Sequence, residues 1–174
     1  MSLLQDFKNI TCFVFDMDGV LTDGKVLLVQ NNIQARQMNV KDGLGLQMAL
    51  KNGYRVIVIS GGNSIEARNR LKKLGLKEVY LGVQNKLQLL SKIVAKDKLI
   101  WNEILFMGDD LPDFSSMKKV GISCCPSDAV IEIKNISKYI SPYKGGDGCV
   151  RDVLEKSLKA QGRWNFENSN VSSF

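Results

Sequence analysis

The chain has 174 residues, of which 44% are hydrophobic and 24% carry a charge. This length suffices for one hydrophobic core but not for two ordinary domains, so we expect one domain over residues 1–164 and a polar tail over residues 165–174. Apolar runs stay well short of the ~20 residues of a membrane-spanning helix, and the first residues show neither region of a secretory signal. We therefore expect a cytoplasmic location and no membrane partner.

The formal net charge of +6 raises the question of nucleic-acid binding. The lysines are scattered over predicted helix faces, and no basic stripe is interleaved with aromatic residues, as nucleic-acid-binding surfaces often are. A positive field also attracts anionic small molecules. The composition therefore argues against a nucleic-acid partner and is compatible with a phosphorylated substrate.

Histidine is absent from the sequence, and its four cysteines show no metal-ligand spacing. Cys124 and Cys125 are adjacent, whereas paired zinc ligands are separated by at least two residues, so we expect reduced and mostly buried thiols. The lack of histidine excludes histidine-based phosphatases, metalloproteases and Ser-His-Asp hydrolases.

Short apolar runs bounded by Gly, Asn, Asp or Ser alternate along the chain with amphipathic stretches. The runs predict strands buried on both faces, at residues 11–15, 55–59, 79–81, 104–107 and 121–123. The amphipathic stretches predict helices at residues 42–51, 64–74, 86–95, 112–119, 128–136 and 150–159. This alternation is typical of a parallel sheet with helices on both faces, so we expect an α/β, Rossmann-like domain.

One segment interrupts the alternation directly after the first predicted strand. Residues 25–29 and 33–38 flank Gln30, Asn31 and Asn32, a pattern that predicts a β-hairpin. We expect this hairpin to project from the carboxyl edge of the sheet as a small flap.

Polar residues follow four of the predicted strands, where an open parallel sheet binds its ligands. In chain order they are Asp16 and Asp18, Ser60 and Gly61, Lys86, and Asp109 with Asp110. If the first and fourth strands are neighbours, Asp16 and Asp109 point into one small volume, because adjacent strands lie ~4.8 Å apart. Carboxylates this close need a cation to stay ionised, and Mg²⁺ prefers such oxygen ligands.

A single aspartate after a strand is more commonly part of a turn or a helix cap. That interpretation fits Asp113 and Asp128. Coincidence is a poor explanation for the other acidic residues taken together with Ser60 and Lys86, so we interpret the larger set as one functional site.

The sequence resembles the haloacid dehalogenase superfamily in four motifs that occur in the same order. They are Asp16-Met17-Asp18-Gly19-Val20-Leu21-Thr22-Asp23-Gly24, then Ser60-Gly61, then Lys86, then Gly108-Asp109-Asp110-Leu111-Pro112-Asp113. The resemblance runs from about residue 13 to residue 153, which is most of the chain. It implies a phosphatase that acts through a carboxylate.

The resemblance also implies a role for each motif residue. Asp16 would be the nucleophile that forms an aspartyl-phosphate. Asp18 would protonate the leaving oxygen and later activate water, first as general acid and then as general base. Ser60 and the amide of Gly61 would hold phosphoryl oxygens, and Lys86 would neutralise charge on the phosphate and on Asp16.

The implied cofactor is Mg²⁺, held by the Asp16 carboxylate, the main-chain carbonyl of Asp18 and Asp109, with Asp110 in support. Many members of the superfamily carry a cap domain, for which this sequence has no room. A capless site must exclude water by other means. We expect a homotetramer in which hairpins over residues 25–38 pack together and a neighbouring subunit supplies the lid.

Within the superfamily, the closer resemblance is to the phosphatases that release 3-deoxy-D-manno-octulosonate from its 8-phosphate. It implies substrate contacts at Asn39, Val40, Lys41, Asp42, Gly43, Arg70 and Lys86. On local sequence alone, Asp42 fits a helix N-cap equally well, and Arg70 fits a solvated helix face. The segment from Tyr143 to Arg151 resembles a glycine-rich segment that can reach an adjoining active site in that family.

Two positions depart from that family, because Gln47 and Gly62 stand where its members often have arginines. The reaction is therefore better determined than the substrate. A phosphatase for the 9-phosphate of the nine-carbon 2-keto-3-deoxy-nonulosonate stays open, as does a non-catalytic tetramerisation module of the same fold. A phosphoryl-transferring mutase fits less well, since mutases usually need a cap.

Overall fold

The computed structural model describes residues 3–30 and 33–165. Within them, the strands are β1 (Cys12–Phe15), β2 (Leu27–Val29), β3 (Ile33–Ala35), β4 (Arg55–Ile59), β5 (Glu78–Tyr80), β6 (Ile104–Met107), β7 (Ile122–Cys125) and β8 (Tyr139–Ile140). The α-helices are α1 (Leu3–Lys8), α2 (Val40–Lys51), α3 (Ile65–Lys73), α4 (Lys86–Asp97), α5 (Phe114–Met117), α6 (Ile131–Ile136) and α7 (Cys149–Ala160). Six strands form one parallel sheet in the order β5-β4-β1-β6-β7-β8.

The centre of the sheet is formed by β1 and β6, whose residues are all buried. Strands that are covered on both faces read as continuous apolar runs, which is why the sequence identifies them. The two strands pair in parallel with Phe15 opposite Met107. Asp16 and Asp109 therefore leave the sheet at the same edge, and the predicted adjacency of the first and fourth strands is confirmed.

Helices cover both faces of the sheet, as the sequence predicts. On one face, α1, α2, α3 and α7 contribute side chains such as Phe7, Leu46, Leu71 and Leu154 to one core cluster. On the other face, α4, α5 and α6 contribute Leu90, Met117 and Ile133 to a second cluster. The α/β, Rossmann-like fold is therefore confirmed.

The hairpin flap is also present, since β2 and β3 pair in an antiparallel fashion after β1. Its predicted turn residues Asn31 and Asn32 lie outside the described residues, as do residues 166–174 of the predicted tail. Among the described residues no helix is long and apolar enough to cross a membrane. Between β1 and β4 these residues form only the hairpin and α2, so no cap domain is inserted there.

Several local predictions differ from the structure. Helix α1 and the two-residue strand β8 were not predicted, and the helix expected over residues 112–119 is a 3-10 turn followed by α5. Helix α2 begins at Val40, because the Asn39 side chain accepts a hydrogen bond from the Lys41 amide. Asn39, rather than Asp42, is therefore the N-cap of this helix.

Candidate active site

A cavity of about 280 Å³ opens at the carboxyl edge of the sheet. It is lined by Asp16, Asp18, Gly24, Ser60, Gly61, Gly62, Lys86, Asp109, Asp110 and Pro112. The structure thus brings together residues from all four motifs, which follow strands β1, β4, β5 and β6. Crossovers between parallel strands deliver distant parts of the chain to this one edge.

Lys86 is the buried cation of the cavity. It is the first residue of α4, whose start is fixed by the Asn85 side chain accepting from the Gln88 amide. Its Nζ lies 2.8 Å from Oδ1 of Asp16 and 2.7 Å from Oδ1 of Asp113. Burial acts to lower the pKa of Lys86, but the two carboxylates outweigh burial and raise it. Lys86 therefore stays charged.

Three carboxylates form an acidic cluster at the cavity, two of them in its lining and the third, Asp113, behind it. Single oxygens of Asp16, Asp109 and Asp113 all lie within 4.8 Å of one another. Burial and the charge of Asp113 raise the pKa of Asp16 to about 8, although Lys86 opposes the shift. Burial, with Asp113 and Asp110, raises the pKa of Asp109 to about 7. The single positive charge of Lys86 is therefore not enough to keep all three carboxylates ionised.

The cluster fits a divalent cation. Oδ1 of Asp109 is buried and has no hydrogen-bond partner among the described residues, which is costly for a carboxylate unless a ligand is bound. The donors are hard oxygen atoms, which suit Mg²⁺. Asp16 and Asp109 would hold the ion together with the main-chain carbonyl of Asp18.

Asp113 differs from the sequence-based interpretation, whereas the supporting role expected of Asp110 stays a prediction. Asp110 is exposed, and its carboxylate accepts from the Leu111 amide at 2.7 Å, so it caps the following 3-10 turn and lies outside the acidic group. Asp113, interpreted as a turn or cap residue, is fully buried. Its Oδ2 accepts from the Asp109 amide, while its Oδ1 binds Lys86. Asp113 therefore positions both Lys86 and Asp109.

Asp18 is held by a residue that the sequence analysis did not identify. Arg36, just beyond β3 of the hairpin, donates from Nε to Oδ1 of Asp18 at 2.6 Å. No sequence signal marks this pair, because the contact exists only once the hairpin folds over the sheet edge.

The phosphoryl side of the cavity is formed by the turn after β4. Ser60 is buried, and its hydroxyl accepts from the Gly62 amide at 3.0 Å. Gly61 is exposed, and a Cβ built on it would meet only the Val83 carbonyl oxygen, at 3.8 Å. This turn therefore leaves open space beside Ser60 for an anion.

The predicted substrate segment is split between surface and core. Val40 and Lys41 are exposed, whereas Asp42 and Gly43 are buried. Oδ1 of Asp42 accepts from the Arg151 amide at 2.6 Å in the first turn of α7, and burial raises the pKa of Asp42 to about 6. Contrary to the expectation of a substrate contact, the Asp42 carboxylate is 1% exposed and stabilises a helix start.

Arg70 lies in a second cavity, of about 370 Å³, between the hairpin and α3. Arg36 lines the same cavity. Gly43 packs beside Leu74 and Arg70, since a Cβ there would lie 3.3 Å from Cδ1 of Leu74 and 3.6 Å from one guanidinium nitrogen of Arg70. Gln47, one of the two departures from the family pattern, has a buried Oε1 without a hydrogen-bond partner among the described residues.

The glycine-rich segment near the C-terminus packs against the loop after β1 of the same chain. The Gly146 amide donates to the Val20 carbonyl at 2.9 Å. A Cβ on Gly145 would collide with the carbonyl oxygen of Gly19, so only glycine fits there. This segment therefore supports the loop that carries Asp16 and Asp18.

The chain is similar to known phosphatases along most of its length, although it matches no protein-family model. It is 34% identical over 156 residues to 3-deoxy-D-manno-octulosonate 8-phosphate phosphatase KdsC of Escherichia coli strain K12, covering 90% of this chain and 83% of that protein. The Yersinia pestis phosphatase of the same name superposes with a TM-score of 0.90 at 29% identity, covering 92% of this chain and 87% of that chain.

A third relative, from Moraxella catarrhalis, was solved in complex with magnesium, phosphate and KDO; it has a TM-score of 0.89 and 32% identity, and 92% of each chain is covered. The sheet order, the hairpin and these similarities define the fold as that of the haloacid dehalogenase superfamily. Within this superfamily, the chain belongs to the 3-deoxy-D-manno-octulosonate 8-phosphate phosphatase family.

Proposed function

We propose that the chain is a Mg²⁺-dependent phosphatase that hydrolyses 3-deoxy-D-manno-octulosonate 8-phosphate through an aspartyl-phosphate on Asp16. The observation that carries the proposal is the Asp16 carboxylate, held 2.8 Å from Lys86 beside the carboxylates of Asp109 and Asp113. The named activity of the relatives supports the same reaction. These relatives do not favour the nine-carbon sugar acid or a non-catalytic module.

We infer the following reaction, which the positions of the side chains support. An Asp16 oxygen attacks phosphorus, the bond from phosphorus to the ester oxygen breaks, and a proton moves from Asp18 to that oxygen, which leaves as an alcohol. Water then attacks phosphorus, its proton returns to Asp18, and inorganic phosphate leaves as Asp16 is restored. Lys86 and the turn at Ser60 stabilise the negative charge on the phosphoryl group. When bound, Mg²⁺ supplies Lewis-acid stabilisation of the same charge.

The exposed strand of the hairpin supports the proposal of a homotetramer. Leu27 is 65% exposed and Leu28 is 77% exposed, and their neighbours Val26 and Val29 are exposed as well. Contiguous apolar surface on a hairpin edge is typical of a protein interface. We infer that hairpins of neighbouring subunits pack through this surface and that a neighbour covers the cavity. A cytoplasmic location stays a prediction.

Phosphate release from a panel of substrates tests the proposed function. The panel contains the 8-phosphate of 3-deoxy-D-manno-octulosonate, the 9-phosphate of the nine-carbon acid, and glucose 6-phosphate, which lacks a carboxylate. We expect the first to give the largest kcat/KM, with turnover lost when EDTA replaces Mg²⁺. Faster hydrolysis of the nine-carbon acid would change the substrate assignment, and no release from any compound would overturn the enzyme proposal.

A further inference from the structure

Arg36 connects the hairpin to the catalytic loop through a fork of hydrogen bonds. Its Nε lies 2.6 Å from Oδ1 of Asp18, and one terminal nitrogen lies 3.5 Å from Oδ2. The other terminal nitrogen donates to the Gln34 carbonyl at 3.1 Å, which fixes the guanidinium to the hairpin backbone. The Arg36 side chain is 9% exposed and the Asp18 side chain 34% exposed, so the fork is shielded from water on the Arg36 side and open on the Asp18 side. Both Asp18 oxygens are thus oriented from the hairpin.

The position of Gly62 makes this arrangement possible. A Cβ at residue 62 would lie 2.8 Å from Oδ2 of Asp18 and 3.6 Å from a terminal nitrogen of Arg36. A side chain there would therefore displace the Asp18 carboxylate. Because the backbone of Gly62 has no positive φ, this glycine is required for space and not for its backbone conformation.

The two oxygens of Asp18 differ in their surroundings. Oδ1 is tightly bound by Arg36, whereas Oδ2 has only the longer contact. Oδ2 lies near the turn after β4. A Cβ built on Gly62 would be 2.8 Å from Oδ2 and 3.5 Å from the Ser60 hydroxyl, so Oδ2 faces the turn where the phosphoryl group would bind. Oδ1 is therefore suited to anchor the carboxylate, and Oδ2 to deliver the proton.

We propose that Arg36 is a positioning residue, which holds Asp18 so that Oδ2 delivers its proton to the leaving oxygen. This inference rests on the proposed function. The proton moves from Oδ2 to the ester oxygen as the bond from that oxygen to phosphorus breaks, and Asp18 is left as a carboxylate paired with Arg36. Because Arg36 belongs to the hairpin, the hairpin must be seated for the proton transfer to be efficient.

The leaving group provides a readout that separates positioning from a merely structural role. A sugar alkoxide is a poor leaving group and needs the proton, whereas p-nitrophenolate leaves without one. The ratio kcat/KM reports steps up to formation of the aspartyl-phosphate, so it is not affected by the later water attack. We compare kcat/KM of Arg36→Met and Arg36→Lys for the sugar acid phosphate and for p-nitrophenyl phosphate, both with Mg²⁺.

General acid catalysis contributes about 10²- to 10⁴-fold, so we expect Arg36→Met to lose at least about 100-fold on the sugar phosphate and less than about 10-fold on p-nitrophenyl phosphate. Arg36→Lys keeps one donor and should recover part of the loss. Arg163→Met, the same change at an exposed arginine over the Tyr54 ring, is the matched control and should change neither value.

Equal losses on both substrates, or no loss, would overturn the positioning role of Arg36. Gly62→Ala is an independent probe that retains Arg36 and displaces Oδ2, and we expect the same selective loss on the sugar phosphate. An unselective effect of Gly62→Ala counts against the inference even if Arg36→Met fails to fold. A wild-type protein that hydrolyses neither substrate overturns the proposed function and the inference with it, whereas an active wild type with unselective variants overturns the inference alone.

Discussion

Two carboxylate sites of the same domain, around Asp152 in α7 and around Asp109 after β6, differ in how completely their oxygens are bound. Asp152, beside the end of β8, accepts from the Tyr139 hydroxyl at 2.7 Å, the Ser141 hydroxyl at 2.9 Å and the Lys156 ammonium at 2.6 Å. Asp109, after β6, has a buried oxygen without a partner among the described residues, and its pKa is raised to about 7. Both oxygens of Asp152 are bound by the protein, so this carboxylate is saturated, whereas one oxygen of Asp109 is not bound, so Asp109 is unsaturated.

This difference separates a structural carboxylate from one that is prepared for a ligand. A saturated buried carboxylate stabilises the fold, while an unsaturated one costs folding free energy until something binds it. A free buried oxygen alone does not identify a functional carboxylate, since Oδ2 of Asp42 also lacks a partner among the described residues. Asp109 differs from Asp42 because its free oxygen accompanies two further carboxylates, Asp16 and Asp113.

The largest effect is expected for Asp16→Asn. The amide has nearly the same shape but is a poor nucleophile, so kcat should fall by at least about 10⁴-fold, as it does when other enzymes lose a nucleophile. The midpoint of thermal unfolding of the metal-free protein should change little near neutral pH, because Asn has the shape of the Asp16 carboxyl group, whose raised pKa keeps it protonated there. Steady-state kinetics with the sugar acid phosphate and a thermal melt measure the two quantities. Residual activity above about 1% would contradict the covalent route.

Asp152→Ala should give the opposite result, a loss of stability without a loss of catalysis. Removing the carboxylate leaves the Tyr139 and Ser141 hydroxyls without the oxygen to which they donate, and we expect a decrease of about 2 to 3 kcal/mol in the free energy of unfolding. Lys156 is partly exposed, so its freed charge can be solvated. Urea denaturation checks the decrease, and kcat per folded molecule should be unchanged. A stable variant with reduced kcat would remove the distinction between the two sites.

A smaller effect concerns pH and Mg²⁺. The pKa values of Asp16 and Asp109 are raised from 3.8 to about 8 and about 7, so the folded chain keeps protons that the unfolded chain releases above pH 4. The stability of the metal-free protein should therefore fall as the pH rises from about 4 to about 8. Mg²⁺ binds the ionised carboxylates, so its stabilisation should grow over the same interval.

Differential scanning fluorimetry at pH 6 and pH 8, with EDTA or with Mg²⁺, checks this prediction. A ligand at 100 times its Kd stabilises by about 2.7 kcal/mol, which corresponds to several degrees in Tm for a chain of this size. We expect Mg²⁺ to raise Tm more at pH 8 than at pH 6. Asp109→Asn should lose most of the Mg²⁺-dependent increase at both pH values. Asp152→Asn is the matched control and should keep the response. An equal shift at both pH values would contradict the prediction.

The sheet was predictable because its strands carry their own signal. Residues in β1 and β6 are apolar throughout and those in β4 are apolar after Arg55, since helices cover both faces, and each strand is followed by polar motif residues. The two-residue strand β8 was not predictable, because two residues are too few to show a period. Helix α1 is short, and it is stabilised by packing of Phe7 against Tyr139, a contact that the local sequence does not encode.

The site was predictable at the positions that follow strands and not at those that depend on distant contacts. Asp113 resembles an ordinary turn residue until Lys86 from α4 is placed beside it. Asp42 has the sequence of a helix cap, and it does stabilise a helix start, but the helix is α7 and not its own. Arg36 becomes part of the site only when the hairpin folds over Asp18.

Because Gly145 and Gly146 support the loop after β1, the active site can be completed only late in synthesis of the chain. A ribosome synthesises the loop that carries Asp16 early and the glycine segment late, and the two are in contact from Gly19 to Asp23 in the folded protein. A nascent chain that lacks its last quarter therefore carries the nucleophile without the backbone that holds it. Such a chain should not trap phosphorylated metabolites before translation is nearly complete.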